Sequence, residues 1–165
     1  MSEIILFKHG TELMDAGYIK TAIQEVGADD CDVLYVHSGM NFGVPNASIG
    51  KGGVLDALAD IIYSLDVPTV LMPSYTFSFC NGEKFDVKSS KSSMGALSEF
   101  LRKKHHWKRS IDPLMSHIGF GSDLSFIEDI GKNSVGLGST FDLLSKTNKK
   151  VKFLFLGPRV HDCFT

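Results

Sequence analysis

The chain has 165 residues, enough for a single α/β domain with a core of its own. Hydrophobic residues make up 43% and charged residues 22%, ordinary globular usage that excludes disorder as the default. The formal net charge of −2 gives no reason to expect nucleic acid as a partner of the molecule as a whole.

No apolar run approaches the ~20 residues of a membrane-spanning helix, so no membrane partner is expected. The start, Met1-Ser2-Glu3-Ile4, lacks the basic-then-apolar pattern of a secretory signal, and the sequence reads as cytoplasmic. Three widely spaced cysteines, Cys31, Cys80 and Cys163, form neither a disulfide framework nor a CxxC metal site, so no metal is expected.

Along the chain, Ile19, Ala22, Ile23 and Val26 fall at helical spacing, and Gly27 is placed to end that helix. Residues 32–37 read as a short buried strand. His37 and Ser38 are adjacent on it and point to opposite faces, so they cannot pair as base and nucleophile. Gly50-Lys51-Gly52-Gly53 opens a second helix whose inner face is Val54, Leu55, Leu58, Ile61, Ile62 and Leu65. A helix start of this kind can hold an anion, because its first N–H groups lack partners. A turn carrying a solvated lysine explains the segment equally.

Residues 67–72 form the next strand, closed by Pro73. The polar stretch 74–93 is too long for a plain connector in a compact domain. Ser93 is a reasonable N-cap for a helix carrying Leu97, Phe100 and Leu101. The basic run 102–109 surrounds one aromatic, Trp107, and fits a solvated helix end; a local phosphate contact by Arg102 or Arg109 is the functional alternative. Residues 151–156 form the last strong strand, stopped by Gly157-Pro158. Cys163 follows His161 closely, but neither a helix start nor a base stands at a known spacing. Helices between apolar strands predict a largely parallel sheet covered on both faces, with ligands at the carboxyl ends of the strands.

The order of these segments resembles the aminoglycoside 3-N-acetyltransferase family from about Ile19 to Thr165. Val36-His37-Ser38-Gly39 is similar to the family's Val-His-Ser-Ser, and Gly52-Gly53-Val54 to its glycine pair before a long helix. Met72-Pro73-Ser74-Tyr75-Thr76 matches its Met-Pro-Thr-Phe-Thr, and Phe85-Asp86 its Phe-Asp after the loop. The segment from Ser92 to Arg102 (SSMGALSEFLR) follows Ser-x-Met-Gly-x-Leu-x-Glu-x-x-Arg. Residues 109–116 (RSIDPLMS) resemble Arg-Ser-x-His-Pro-x-x-Ser. The chain departs from the pattern at Gly39, at Asp112 in place of histidine, and at Thr140 in place of proline. These departures resemble a branch associated with surface-sugar genes rather than antibiotic resistance.

The resemblance implies an α/β fold with a largely parallel central sheet and helices on both faces, distinct from the GNAT acetyltransferases. It implies one acetyltransferase domain over 1–165 that moves acetyl from acetyl-CoA to an amine of an aminoglycoside or amino sugar. Competing readings are an acyltransferase on nucleotide-linked amino sugars and a non-catalytic CoA-binding domain. Neither nucleic acid nor a membrane is implied as a partner, and a homodimer is a candidate assembly. Cofactor contacts are expected from Ser38, Ser74, Tyr75, Ser93, Met94 and Gly95, with Arg102 and Arg109 facing the CoA phosphates. The family's base is a histidine in Thr-x-x-His-x-x-Glu. Thr165 matches the first position, which places histidine and glutamate beyond the last residue, so no catalytic residue is named in this chain.

Overall fold

A computed structural model describes residues 4–163. The chain begins with a hairpin of β1 (Ile5–His9) and β2 (Glu12–Asp15), followed by α1 (Ala16–Glu25). Asp15 starts α1 by accepting the Tyr18 N–H at 2.7 Å, and Gly27 lies just past the end in the left-handed region. Then come β3 (Val33–Ser38), β4 (Val44–Pro45), α2 (Gly50–Tyr63), β5 (Thr69–Pro73) and α3 (Ser78–Asn81). The second half holds α4 (Ala96–Arg102), β6 (Lys108–Arg109), β7 (His117–Gly121), α5 (Ser125–Glu128), α6 (Thr140–Lys146) and β8 (Val151–Leu156). A 3₁₀ turn at Val160–Asp162 follows.

Five strands make the central sheet in the order β6-β7-β5-β3-β8, and β1, β2 and β4 form a small separate sheet. β3 is parallel to both β5 and β8, in register from Val33 opposite Val151 to Ser38 opposite Leu156. These three are the strands legible in the sequence. β7 and β6 extend the sheet antiparallel beyond β5, so the whole is mixed around a parallel group. The short, glycine-bearing β7 (HIGFG) carries too little apolar periodicity to be read from sequence.

Side chains alternate across β3 as its pleat demands. Leu34 and Val36 join Val70, Met72, Ile118, Leu154 and the inner faces of α1, α2 and α4 in the larger core. Val33 and Tyr35 face Leu71, Phe126, Ile127 and Leu144 on the other side, where α5 and α6 lie. Both faces of the sheet are therefore covered, and the parallel strands end together at one edge of the domain. No helix among the described residues is long and apolar enough to cross a membrane.

Candidate functional site

Three strands end together: β3 at Ser38, β5 at Pro73 and β8 at Leu156. Above them lies a cavity of about 280 Å³ lined by His37, Ser38, Pro73, Tyr75, Ser93, Met94, Gly95, Pro158 and Cys163. Of the residues expected at the site, Ser38, Tyr75, Ser93, Met94 and Gly95 are thus brought together. Ser74 sits behind the wall with its hydroxyl fully buried and unbonded. Arg102 and Arg109 are not in this wall.

The floor is backbone against backbone. A Cβ on Gly157 would lie 2.5 Å from the Gly39 carbonyl oxygen, and φ there is +92°. A side chain at position 39 would in turn meet the Pro158 nitrogen at 3.2 Å. Such a side chain would require the Pro158 segment to give by a few tenths of an ångström, whereas Gly157 is fixed by both its φ and the close carbonyl.

The wall is set by the loop leading into α4. The Ser93 N–H donates to the Tyr75 carbonyl at 2.8 Å, tying the loop to the end of β5. Ser98 donates to the Pro73 carbonyl at 2.6 Å. Ser93 does not cap α4. Gly95 stands at the N-cap without a side-chain bond, Ser92 Oγ accepts the Met94 N–H at 3.1 Å, and Glu99 reaches back to the Ser92 N–H at 2.9 Å. Ser93 is exposed and lines the cavity.

Ser93 and Gly95 also line a larger cleft of about 690 Å³, where Lys51, Lys91 and Lys103 converge. Lys51 stands in the first turn of the 14-residue α2, whose N-cap Ile49 makes no side-chain bond to the helix amides. Lys103 is paired with Glu99 at 3.1 Å. Cationic side chains and uncapped amides here favour an anion. Sequence reasoning reached Lys51, read Lys103 only as part of the basic run 102–109 and passed over Lys91; only the packing of α4 beside α2 brings the three to the same cleft.

Arg102 and Arg109 hold the loop from beneath. Arg102 grips Glu99 through two bonds of 2.8 Å and donates to the Lys88 carbonyl. Burial would raise the Glu99 carboxyl, yet hydrogen bonds from Arg102, the Ser92 amide and Lys103 hold it at about 2. Arg109 donates to Ser116 Oγ at 3.1 Å and to the carbonyls of Ser74 at 2.7 Å, Val87 and Ser90. All these partners are neutral, and burial, with Arg102 nearby, lowers the guanidinium to about 10.

Behind the cavity, Tyr35 and Tyr75 share a hydroxyl contact of 3.4 Å. Burial pushes Tyr75 up to about 12. His37 stacks on Phe155 with ring centroids 5.1 Å apart, and burial holds it at about 4. His117 lies edge-on to Tyr75 and Tyr35, and burial, then His37, holds it at about 3. Both imidazoles are neutral near pH 7. Asp112 accepts from the Leu114 and Met115 amides and from Ser134, so a carboxylate organises the turn where the family pattern has histidine. Among the described residues no group of three or more acidic, histidine or cysteine side chains could hold a metal ion.

The fold is a mixed α/β sheet covered on both faces, with a cavity at the carboxyl ends of its parallel strands. A family model described as aminoglycoside 3-N-acetyltransferase matches residues 35–165, and the chain belongs to that family. Among solved structures, a binary complex of AAC-IIIb with CoASH is similar, with a TM-score of 0.61 and 20% identity over 78% of this chain and 55% of that one. The aminoglycoside acetyltransferase AAC(3)-IVa apoenzyme gives 0.64 and 22% over 87% and 55%. AAC-VIa bound to sisomicin gives 0.67 and 18% over 88% and 60%. The chain therefore spans between about half and two thirds of the length of these solved relatives. No curated protein matches it at the sequence level.

Proposed function

We propose that this chain is a single domain over 1–165 that binds acetyl-CoA and forms the donor side of an N-acetyltransferase acting on an aminoglycoside or amino sugar. The carrying observation is that the 280 Å³ cavity and the lysine-rimmed cleft lie side by side and share Ser93 and Gly95 as lining residues. The narrow part suits a pantetheine arm and its thioester, and the cationic part suits the phosphates. That AAC-IIIb binds CoASH on a similar fold supports the same reading.

Acyl transfer forms a bond from the amine nitrogen to the acetyl carbon and breaks that carbon's bond to sulfur. Negative charge develops on the carbonyl oxygen, and the hydroxyls of Ser38 and Ser93 are the donors on the wall that can meet it. A base must also take the ammonium proton. His37, held at about 4, is several pH units too acidic for an amine, and His117 is sealed in the core. Neither is the base. Thr165, which matches the first position of the family's Thr-x-x-His-x-x-Glu pattern, lies outside the described residues.

Arg102 and Arg109 act as supports of the wall in this reading, since neither lines the cavity or the lysine-rimmed cleft and most of their donors face protein oxygens. Lys51 and Lys91 take the phosphate role.

Calorimetry with acetyl-CoA, paired with thiol-release assays on both acceptor classes, tests the proposal. Lys51→Ala combined with Lys91→Ala should weaken acetyl-CoA by about 10-fold at low salt and much less at high salt. Binding without thiol release from any amine would leave a CoA-binding domain. No acetyl-CoA binding would remove the donor reading altogether.

A further inference from the structure

The two tyrosines behind the cavity have one more hydroxyl proton than the protein can use. Tyr35 and Tyr75 meet hydroxyl to hydroxyl at 3.4 Å, and among the described residues neither hydroxyl has another hydrogen-bond partner. The contact is long for an O–H···O bond, whose usual separation is ~2.7–2.8 Å. Each phenol carries one proton, and only one of the two can lie between the oxygens. The neighbouring histidines do not take the other, since both His117 nitrogens and Nε2 of His37 are buried without a partner.

Access decides which proton is left over. Tyr35 is fully enclosed on β3, so its proton, if turned away from Tyr75, would be buried unpaired. Tyr75 lines the 280 Å³ cavity, together with Cys163. Tyr35 therefore donates to Tyr75, and the Tyr75 O–H is the one free to serve the cavity. Burial first, with the Cys163 thiol among the smaller causes, raises both phenols, so Tyr75 keeps its proton at neutral pH.

The backbone holds Tyr75 from both sides. The Ser74 N–H donates to the Ser116 carbonyl at 2.8 Å, the Ser93 N–H to the Tyr75 carbonyl at 2.8 Å, and the Thr76 hydroxyl to the Pro113 carbonyl at 2.9 Å. A donor fixed in this way costs little reorganisation when charge develops opposite it. The family pattern has phenylalanine here, Met-Pro-Thr-Phe-Thr against Met72-Pro73-Ser74-Tyr75-Thr76. The hydroxyl is therefore a feature of this chain and not of the shared motif.

We propose, on the reading that the cavity holds the acetyl thioester, that the Tyr75 hydroxyl donates a hydrogen bond to the thioester carbonyl oxygen. The amine nitrogen forms its bond to the acetyl carbon, that carbon's bond to sulfur breaks, and the phenol proton stays on Tyr75 throughout. Tyr75 thereby adds a third hydroxyl to those of Ser38 and Ser93 on the same lining.

The test is infrared difference spectroscopy of acetyl-CoA isotope-labelled at the acetyl carbonyl, bound to the native chain, to Tyr75→Phe and to Tyr35→Phe. Calorimetry of acetyl-CoA and CoA on the same three proteins accompanies it. Each substitution removes one oxygen and keeps the ring, so the packing is preserved. In the native chain the carbonyl band should lie below its position in free acetyl-CoA, and acetyl-CoA should bind about fivefold tighter than CoA. Tyr75→Phe should move the band back toward the free position and bring that ratio to about one, with CoA affinity unchanged. Tyr35→Phe should leave the band low, because Tyr75 still has its proton to give. A band that is the same in the native chain and in Tyr75→Phe overturns the assignment, while CoA binding leaves the donor reading standing. Equal loss of the shift in both variants also overturns it and leaves the tyrosine pair a role in shaping the wall. A native chain that binds neither CoA nor acetyl-CoA refutes the donor reading and this assignment together.

Discussion

Gly157 and Asp112 show how single positions hold the cavity together. Gly157 combines φ of +92° with a virtual Cβ 2.5 Å from the Gly39 carbonyl oxygen, so a methyl there must push β3 and the segment after β8 apart. Gly157→Ala should cost about 3 kcal/mol in denaturant unfolding. Gly136→Ala, at φ of +80° but with nothing within 4 Å of its Cβ, should cost only about 1 kcal/mol. Equal losses would mean that conformation alone, and not the close approach, sets the price. At Asp112 one carboxylate oxygen serves the Leu114 and Met115 amides and the Ser134 hydroxyl. Asp112→Ala should destabilise by about 2 kcal/mol, and Asp112→Asn should recover most of this because an acceptor oxygen remains. An Asn variant as unstable as Ala would show that charge, not the acceptor, matters.

At the scale of elements, the loop between β5 and α4 is ordered by side chains rather than by its own secondary structure. Arg109 gathers the carbonyls of Ser74, Val87 and Ser90, and Arg102 with Glu99 fixes the Lys88 carbonyl and the Ser92 amide. Arg109→Met retains the aliphatic stem and removes every donor, so the Val87 and Ser90 carbonyls lose their arginine bonds while Ser74 keeps only Ser116 Oγ. We expect faster amide exchange at Ser90 and Ser93 and a weaker acetyl-CoA complex, with exchange in α2 unchanged. Exchange at Ser93 as slow as in the native chain would assign the order of the wall to the Tyr75 carbonyl alone. The seven-residue α4 contributes little dipole of its own, so the cavity depends on this network more than on a helix terminus.

For the whole molecule, the two buried histidines make stability depend on pH. Their folded values, about 4 for His37 and about 3 for His117, lie below the ordinary imidazole value near 6.5. Below pH ~6.5 the unfolded chain binds protons that the folded chain refuses, so stability is full above that pH and falls as acid is added. Each histidine can contribute a loss of about 1.4 kcal/mol per pH unit down to its folded value. Glu99, held at about 2, adds a further loss only below the ordinary carboxyl value near 4.5. Denaturant unfolding between pH 7 and 5 should therefore show a steep decline that His117→Phe roughly halves. A flat profile over that window would mean that water or local opening admits the proton to the histidines at little cost.

The sequence alone determined the parallel strands, the helices between them and the residues at the strand ends. Apolar β-branched runs, helical spacing and the punctuation at Gly27, Pro73 and Gly157-Pro158 are local signals, and local signals survive in a linear reading. Five of the expected contact residues, Ser38, Tyr75, Ser93, Met94 and Gly95, meet in one cavity because each belongs to a strand end or to the turn that starts α4. Tertiary structure decided the rest. It placed β7 and β6 antiparallel, turned Arg102 and Arg109 into the loop and joined Lys51, Lys91 and Lys103 across two helices. An arginine's spacing does not reveal whether its donors face a ligand or a carbonyl. That outcome depends on which distant backbone oxygens the fold brings within reach, and Arg109 takes those of Ser74, Val87 and Ser90.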